Sequence, residues 1–313
     1  MDNSFSPVAV FVYNRLDNTK RTMECLLANS LAANTDVFVF CDGGKDKKSW
    51  SEVNEVRAYL HDLKNEVERS HGFKSLTLVE RTENIYLERN ITEGISQVFS
   101  WYDRIIVLED DICTSPFYLQ YMNDVFEMYK DMPEVMHVSG FTNLALDVPF
   151  YFTPHMSGWG WGTWKDRWMK HFRHYKTRDE ALKGMTKEDE VKIQYGGVFP
   201  CLKSLDKQPI PWDICWEIAI YKAGGLCLTP GHTMVRNIGL KNGTHFKAFD
   251  VLQWYEFDRE PWSERVKITQ VSCPKADSYI EALFADAIKD WGIRYTILGR
   301  IVRFFYKILV KKA

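Results

Sequence analysis

The sequence predicts an α/β protein built on an open, mostly parallel, Rossmann-like sheet flanked by helices, with a smaller second region and a C-terminal amphipathic helix. Three observations carry this expectation. In the first 140 residues, short apolar runs without polar alternation are separated by amphipathic stretches, the pattern of strands buried on both faces and joined by helices. Three of those runs end in polar residues with chemical use: Asn14-Arg15, Asp42 and Glu109-Asp110-Asp111. Ligands of open parallel sheets bind at the carboxyl ends of strands. Beyond residue 145 the composition changes, which divides the chain into 1–145, a nucleotide-type half, 146–290, a half for a second substrate, and 291–313.

Taken in order, PVAVFVY (7–13) reads as a strand and Asp17 as the start of a helix reaching about Ser30. DVFVFCD (36–42) is a second strand closed by Gly43 and Gly44, and a charged helix follows over roughly 47–69. SLTLVE (75–80) is a third strand. ERNITEGISQVFSWY (88–102) places Ile91, Ile95, Val98 and Phe99 on one helical face. RIIVLEDD (104–111) is a fourth strand, SPFYLQYMNDVFEMY (115–129) a helix with Ser115 as its cap, and EVMHVSG (134–140) a fifth strand. Residues 141–175, rich in Gly, Trp, Phe and Tyr, read as loop, and 176–194 as a charged helix or surface excursion. PWDICWEIAIYKAGG (211–225) reads as a helix closed by glycine, and 226–239 as a strand and turn.

The 313 residues are 45% hydrophobic and 26% charged, which excludes a disordered or fibrous chain. A net charge of -2 gives no global attraction to nucleic acid. Seven cysteines without a CxxC pair, several of them inside apolar runs, point to a reducing compartment. An acid at position 2 and the lack of a basic leader argue against a signal peptide, and no uncharged run reaches the ~18 residues of a membrane span. The expectation is a cytoplasmic protein.

IIVLEDD is the most informative segment, because a buried strand delivers three acids to one edge of the sheet. Adjacent carboxylates repel one another and call for a counter-charge. A hard divalent cation, Mg²⁺ or Mn²⁺, takes one or two carboxylates together with substrate phosphates, and it would neutralise a diphosphate leaving group as a Lewis acid. The same acids would also serve as a solvated, helix-capping strand end.

Glu109-Asp110-Asp111 after a buried strand resembles the acidic motif of A-type nucleotide-sugar glycosyltransferases, in particular the EDD of inverting N-acetylglucosaminyltransferases. VAVFVYNR is similar to that family's first strand and VFVFCDGG to its second. NIYLERNITEGISQVF resembles the helix before the acidic motif. PWDICWEIA resembles the segment that carries the catalytic aspartate, and RNIGLKNGTHF a later loop. The resemblance covers about 230 residues in the family's order. Bacterial transferases of surface-polysaccharide clusters are similar too, sharing the EDD followed by a W-G-W-G-T-W-K type segment. The resemblance implies an A-type glycosyltransferase fold and Asp111 as a metal ligand. It implies Asp110 near the ribose or the metal shell, Glu109 facing the nucleoside, and Arg15, beside Asn14, and Asp42 at the base. The acceptor-side segments depart from the family, so no acceptor is implied.

Displacing a nucleoside diphosphate with an alcohol needs a base for the hydroxyl proton. Asp213 in PWDICWE is the candidate, with Glu217 one helical turn on as the alternative. Asp213 is equally a helix cap after Pro211. SGWGWGTWKDRW combines glycines, which let backbone approach a ligand, with tryptophan faces that suit sugar rings. Trp159, Trp161 and Trp164 are therefore candidate acceptor contacts, with a hydrophobic plug as the other reading. His245 in NGTHF would complete the metal shell or touch the pyrophosphate.

From 294 to 313 there are six basic residues and no acid. Arg300, Arg303, Lys307 and Lys311 share one helical face and Leu298, Ile301, Val302, Phe305, Ile308 and Leu309 line the other. Such a helix suits the headgroups of an anionic membrane and would attach the protein to the inner face of the cell membrane. The same pattern equally describes a terminal helix docked on the domain with its lysines solvated. The expected function is a metal-dependent, inverting transfer of sugar from a nucleoside-diphosphate sugar, a UDP-sugar first, to a hydroxyl of a glycan or lipid-linked glycan in bacterial surface polysaccharide synthesis. One displacement needs one base and no covalent nucleophile. A nucleotidyltransferase making sugar nucleotides is a rival, though YNRLDNTKR lacks the glycines of a phosphate loop. A carbohydrate-binding protein without enzymatic activity is the other.

Overall fold

Val8–Val12 (β1) is buried along its whole length and has a parallel neighbour on each side. The computed structural model describes residues 5–239, 260–283 and 285. After β1 come Leu16–Leu27 (α1), Asp36–Cys41 (β2), Lys47–Ser70 (α2), Ser75–Glu80 (β3), Tyr86–Val98 (α3) and Arg104–Glu109 (β4). These four strands are parallel, as the unalternated apolar runs predict.

The two faces of β1 separate the core into two layers. Val8, Val10 and Val12 pack with α1, α2 and Tyr118–Met128 (α4), whereas Ala9 and Phe11 pack with α3 and Trp212–Lys222 (α8) on the other side. The helix α2 begins at a capping box, in which Asp46 accepts from Ser49 N at 2.8 Å. Its buried Val53, Val56, Leu60, Leu63 and Val67 follow the three-and-four spacing of one helical face. Ile91, Ile95, Val98 and Phe99 are buried against the sheet in α3, as their spacing predicts. Gly94 allows this seating, because a Cβ there would lie 2.6 Å from the Phe11 ring.

Past β4 the sheet becomes mixed. Val135–Ser139 (β6), Phe150–Thr153 (β7), Trp161–Trp164 (β8) and Leu226–Pro230 (β9) complete the strand order β3-β2-β1-β4-β8-β6-β9-β7. The strand β8 runs antiparallel to both β4 and β6, and β7 antiparallel to β9. The architecture is an α/β, Rossmann-like sheet with helices on both faces. The expected boundary at 145 falls within this one sheet, since β6 lies before it and β7, β8 and β9 after it.

Two elements correct the sequence expectation. The WGTW segment, read as a binding loop, is strand β8, and Gly162 is needed there because a Cβ would meet Ile105 O at 2.5 Å. Residues Ile112–Thr114 (β5) form a small antiparallel ribbon with Val235–Asn237 (β10), so α4 starts at Tyr118 rather than at Ser115. Between β8 and α8 lie Lys165–His171 (α5), Arg178–Leu182 (α6) and Lys187–Lys192 (α7). The excursion holding α6 and α7 packs its own apolar cluster onto Ile214, Cys215 and Ile218 of α8.

Candidate active site at the carboxyl edge of the sheet

Register places the strand ends. Phe11 of β1 pairs with Glu109 of β4, and Val12 with Cys41 of β2. Asn14 and Arg15 therefore leave the sheet between Asp42 on one side and Glu109-Asp110-Asp111 on the other, roughly one strand spacing of ~4.8 Å from each.

Arg15 turns toward the acids. Its Nε donates to Asp110 Oδ2 at 3.3 Å, its Nη2 makes a shorter bond to Asp110 Oδ1, and its Nη1 stands 2.9 Å from Asp111 Oδ2. The turn carrying the acids is held from two sides. Thr22 Oγ1 donates to Asp110 O at 2.9 Å, and Ile238 N to Asp111 O at 2.8 Å. Gly239 lies against the Asp111 carboxylate so closely that any Cβ would collide with it.

Asp110 and Asp111 share one guanidinium, whose charge is also felt at Glu109, and the electrostatics follow. Burial, then Asp111 and Asp110, push Glu109 well above the ordinary carboxylate range, and the charge of Asp213 adds to the rise. Burial pushes Asp110 up to about 6, with Arg15 working against it. Burial works to lower the Arg15 pKa, but Asp110 and Asp111 outweigh it and hold the guanidinium above its ordinary value.

Asp42 is buried and fully engaged by the loop before α3. Its Oδ1 accepts from Gly43 N and Ile85 N, both at 2.9 Å, and its Oδ2 from Asn84 Nδ2 at 2.9 Å. Asn84 also donates to Gly43 O at 2.7 Å. Next to this knot, Tyr86 adopts φ 65° and is 56% exposed. The Lys45 ammonium lies 4.7 Å from its ring centre and 5.8 Å from that of Tyr13. Asn14 donates to Glu52 Oε2 at 2.6 Å. Asn84, Tyr86 and Lys45 escaped the sequence reading. A tyrosine after Asn84-Ile85 gives no outward sign of its positive φ.

The helix α8 supplies the second acidic pair. Asp213 is exposed in its first turn and accepts from Ile214 N at 2.8 Å. Glu217 is 6% exposed, its Oε1 standing 2.5 Å from His155 Nδ1 and its Oε2 accepting from Met156 N at 2.9 Å. One turn of helix thus separates an acid facing solvent from an acid holding a loop. The same loop is held by His137, which donates through Nε2 to Ser157 O at 3.1 Å and accepts from Trp216 Nε1 at 3.2 Å. Burial lowers the His137 pKa to about 3, so the ring stays neutral.

The tryptophans divide. Trp159 is partly buried, edge-on to Phe141 at 4.6 Å. Trp161 and Trp164 are 1% and 4% exposed. Trp161 is stacked on Trp212 at 5.0 Å, and Trp164 is edge-on to Phe126 at 5.0 Å. Alternation along β8 turns these two rings into opposite core layers, which corrects the expectation that they face an acceptor. His245 and the helix expected at 291–313 lie outside the described residues. Gly239, beside Asp111, is six positions before His245.

Among the described residues no three His, Cys, Asp or Glu side chains form a ready cage for a metal. The donor set nevertheless fits a hard divalent cation. Asp110 and Asp111 present carboxylate oxygens, and the three acids keep a net negative charge after Arg15 is counted. Among the described residues no helix is long and apolar enough to cross a membrane.

No protein-family model and no curated protein matches the chain. Solved structures are similar in part. A mannosyltransferase from Pyrobaculum calidifontis, in complex with GDP-mannose and Mn²⁺, is 14% identical over 70% of this chain and 74% of its own, with a TM-score of 0.38. S. aureus TarS is 10% identical over 45% of this chain and 22% of its own, with a TM-score of 0.30. A UDP-glucose pyrophosphorylase complexed with UDP-glucose is 8% identical over 72% of this chain and 90% of its own, with a TM-score of 0.37.

Proposed function

We propose that the chain is a divalent-metal-dependent glycosyltransferase that moves a sugar from a nucleoside-diphosphate sugar to a hydroxyl of a glycan or lipid-linked glycan. One observation carries the reading: Asp110 and Asp111 at the end of β4 are engaged by Arg15, and Asp213 is close enough for its charge to be felt at Glu109. A set of hard oxygen donors for a diphosphate-bound cation therefore lies within electrostatic reach of an exposed carboxylate.

Asp111 is the residue that would hold Mn²⁺ or Mg²⁺, with Asp110; His245, outside the described residues, is the sequence candidate for a further ligand. Bound there, the cation would supply Lewis-acid neutralisation of the diphosphate leaving group. Asn14, Arg15, Asp42 and Glu109 border the space for the nucleoside. Asp42, with three donors already on it, fixes the loop that forms one wall. Asp213 takes the proton from the acceptor hydroxyl as that oxygen attacks the anomeric carbon. A single displacement at the face opposite the leaving group inverts the anomeric configuration. The partly buried Trp159 is the tryptophan of its loop that can still offer an edge to an acceptor sugar. The basic face predicted at 294–313 would bring the protein to an anionic membrane, where lipid-linked acceptors reside.

The test is turnover of UDP- and GDP-sugars with Mn²⁺ and hydroxyl acceptors. Release of nucleoside diphosphate together with an inverted glycoside supports the reading. Release of pyrophosphate from a nucleoside triphosphate and a sugar phosphate would replace it with sugar-nucleotide synthesis.

A further inference from the structure

Arg15 occupies the oxygens that a metal would need. Nε and Nη2 engage both oxygens of Asp110, and Nη1 engages Oδ2 of Asp111, so three of the four carboxylate oxygens face one guanidinium. The acids are fixed, with side chains 5% and 13% exposed and backbone held by Thr22 and Ile238. The arginine side chain is 28% exposed and lies before the first turn of α1, where a long flexible side chain can leave the acids without disturbing the fold. A divalent cation on these oxygens would meet the guanidinium at a few ångströms, and like charges at that distance repel strongly. The two cations therefore exclude one another. A nucleoside diphosphate brings phosphate oxygens that match the guanidinium fork.

We propose that Arg15 is the resident counter-cation of Asp110 and Asp111, exchanged for the divalent metal when a nucleoside diphosphate takes over its guanidinium. This rests on the reading of Asp110 and Asp111 as the metal-binding acids. It makes metal and nucleotide binding mutually dependent, and by linkage each tightens the other equally.

The experiment is Mn²⁺ titration followed by calorimetry and by the electron paramagnetic resonance of free Mn²⁺. The wild type, Arg15→Met and Arg15→Lys are each titrated alone and with UDP or GDP. In the wild type, nucleoside diphosphate tightens Mn²⁺ binding about tenfold, inside the usual range of coupling between sites. Arg15→Met binds Mn²⁺ about tenfold more tightly than the wild type without nucleotide, and nucleotide tightens it further only through the phosphate oxygens that ligate the cation, by a smaller factor than in the wild type. Arg15→Lys, which keeps the charge, stays close to the wild type without nucleotide. Mn²⁺ binding by the wild type that is indifferent to nucleotide overturns the inference, even if Arg15→Met does not fold. So does an Arg15→Met protein that binds Mn²⁺ no better than the wild type, and both results leave the metal site itself standing. Failure of every form to bind Mn²⁺, with or without nucleotide, overturns this inference and the metal reading together.

Discussion

Glu217 Oε1 stands 2.5 Å from His155 Nδ1, and this contact separates the two acids of α8 by role. The partner oxygen of Glu217 accepts from Met156 N, so the carboxylate ties α8 to the loop that carries Trp159. Asp213, one turn earlier, points to solvent on the side where its charge reaches Glu109.

Asp213→Asn keeps the helix start but removes the basic oxygen. Sugar transfer should fall by about 10²–10⁴-fold, the usual contribution of a positioned general base. Nucleoside diphosphate affinity should stay unchanged. Steady-state rates and calorimetry on the same preparation check both halves.

Glu217→Ala leaves His155 Nδ1 and Met156 N without their buried acceptor. Unsatisfied buried groups cost about 1–3 kcal/mol each, so urea unfolding should shift to lower midpoint by a comparable amount. Nucleotide binding at Asp110 and Asp111, which Glu217 does not contact, should survive. A catalytic base at Glu217 would instead show a wild-type midpoint with transfer abolished.

His137 makes stability depend on pH. Its folded pKa, lowered by burial to about 3, lies below the ordinary histidine value of about 6.5. Below pH 6.5 the unfolded chain binds a proton that the folded one refuses, so stability is complete above that value and falls as pH drops toward 3. The slope approaches about 1.4 kcal/mol per pH unit within that window. Urea unfolding at pH 7 and pH 5 measures it. His137→Gln, which keeps a donor for Ser157 O and an acceptor for Trp216, should flatten the dependence.

Gly94→Ala sets two effects against each other. Alanine gains about 1 kcal/mol of helix propensity over glycine. Its Cβ would lie 2.6 and 2.8 Å from two atoms of the Phe11 ring, in a core that also holds the stacked Phe40. Overpacking of that kind costs about 1–3 kcal/mol. The net effect should be destabilising, read as a lower thermal midpoint.

The parallel strands were legible because Val8–Val12 and Asp36–Cys41 are buried on both faces and hold only apolar residues inside. The face of α3 was legible from the spacing of Ile91, Ile95 and Val98. Strand β8 was not, because Gly160 and Gly162 read as loop residues while their function is close backbone approach: Gly140 N donates to Gly160 O at 2.6 Å. The strand ends located the candidate site, since Asn14, Arg15, Asp42 and Glu109 to Asp111 all lie at one edge. Their partners were hidden. Arg15 and Asp110 are 95 positions apart, and only the placement of β1 beside β4 brings them together. Likewise Asp42 meets Ile85 across 43 positions through the order of β2 and α3.

The central claim is tested most directly by calorimetric titration of UDP, GDP and CMP into the wild type and Asp111→Ala, each with and without Mn²⁺. The account predicts that one nucleotide binds the wild type in a Mn²⁺-dependent manner and that the substitution removes this dependence. Binding that ignores Mn²⁺ and survives in Asp111→Ala would contradict it, and so would no nucleotide binding under any condition.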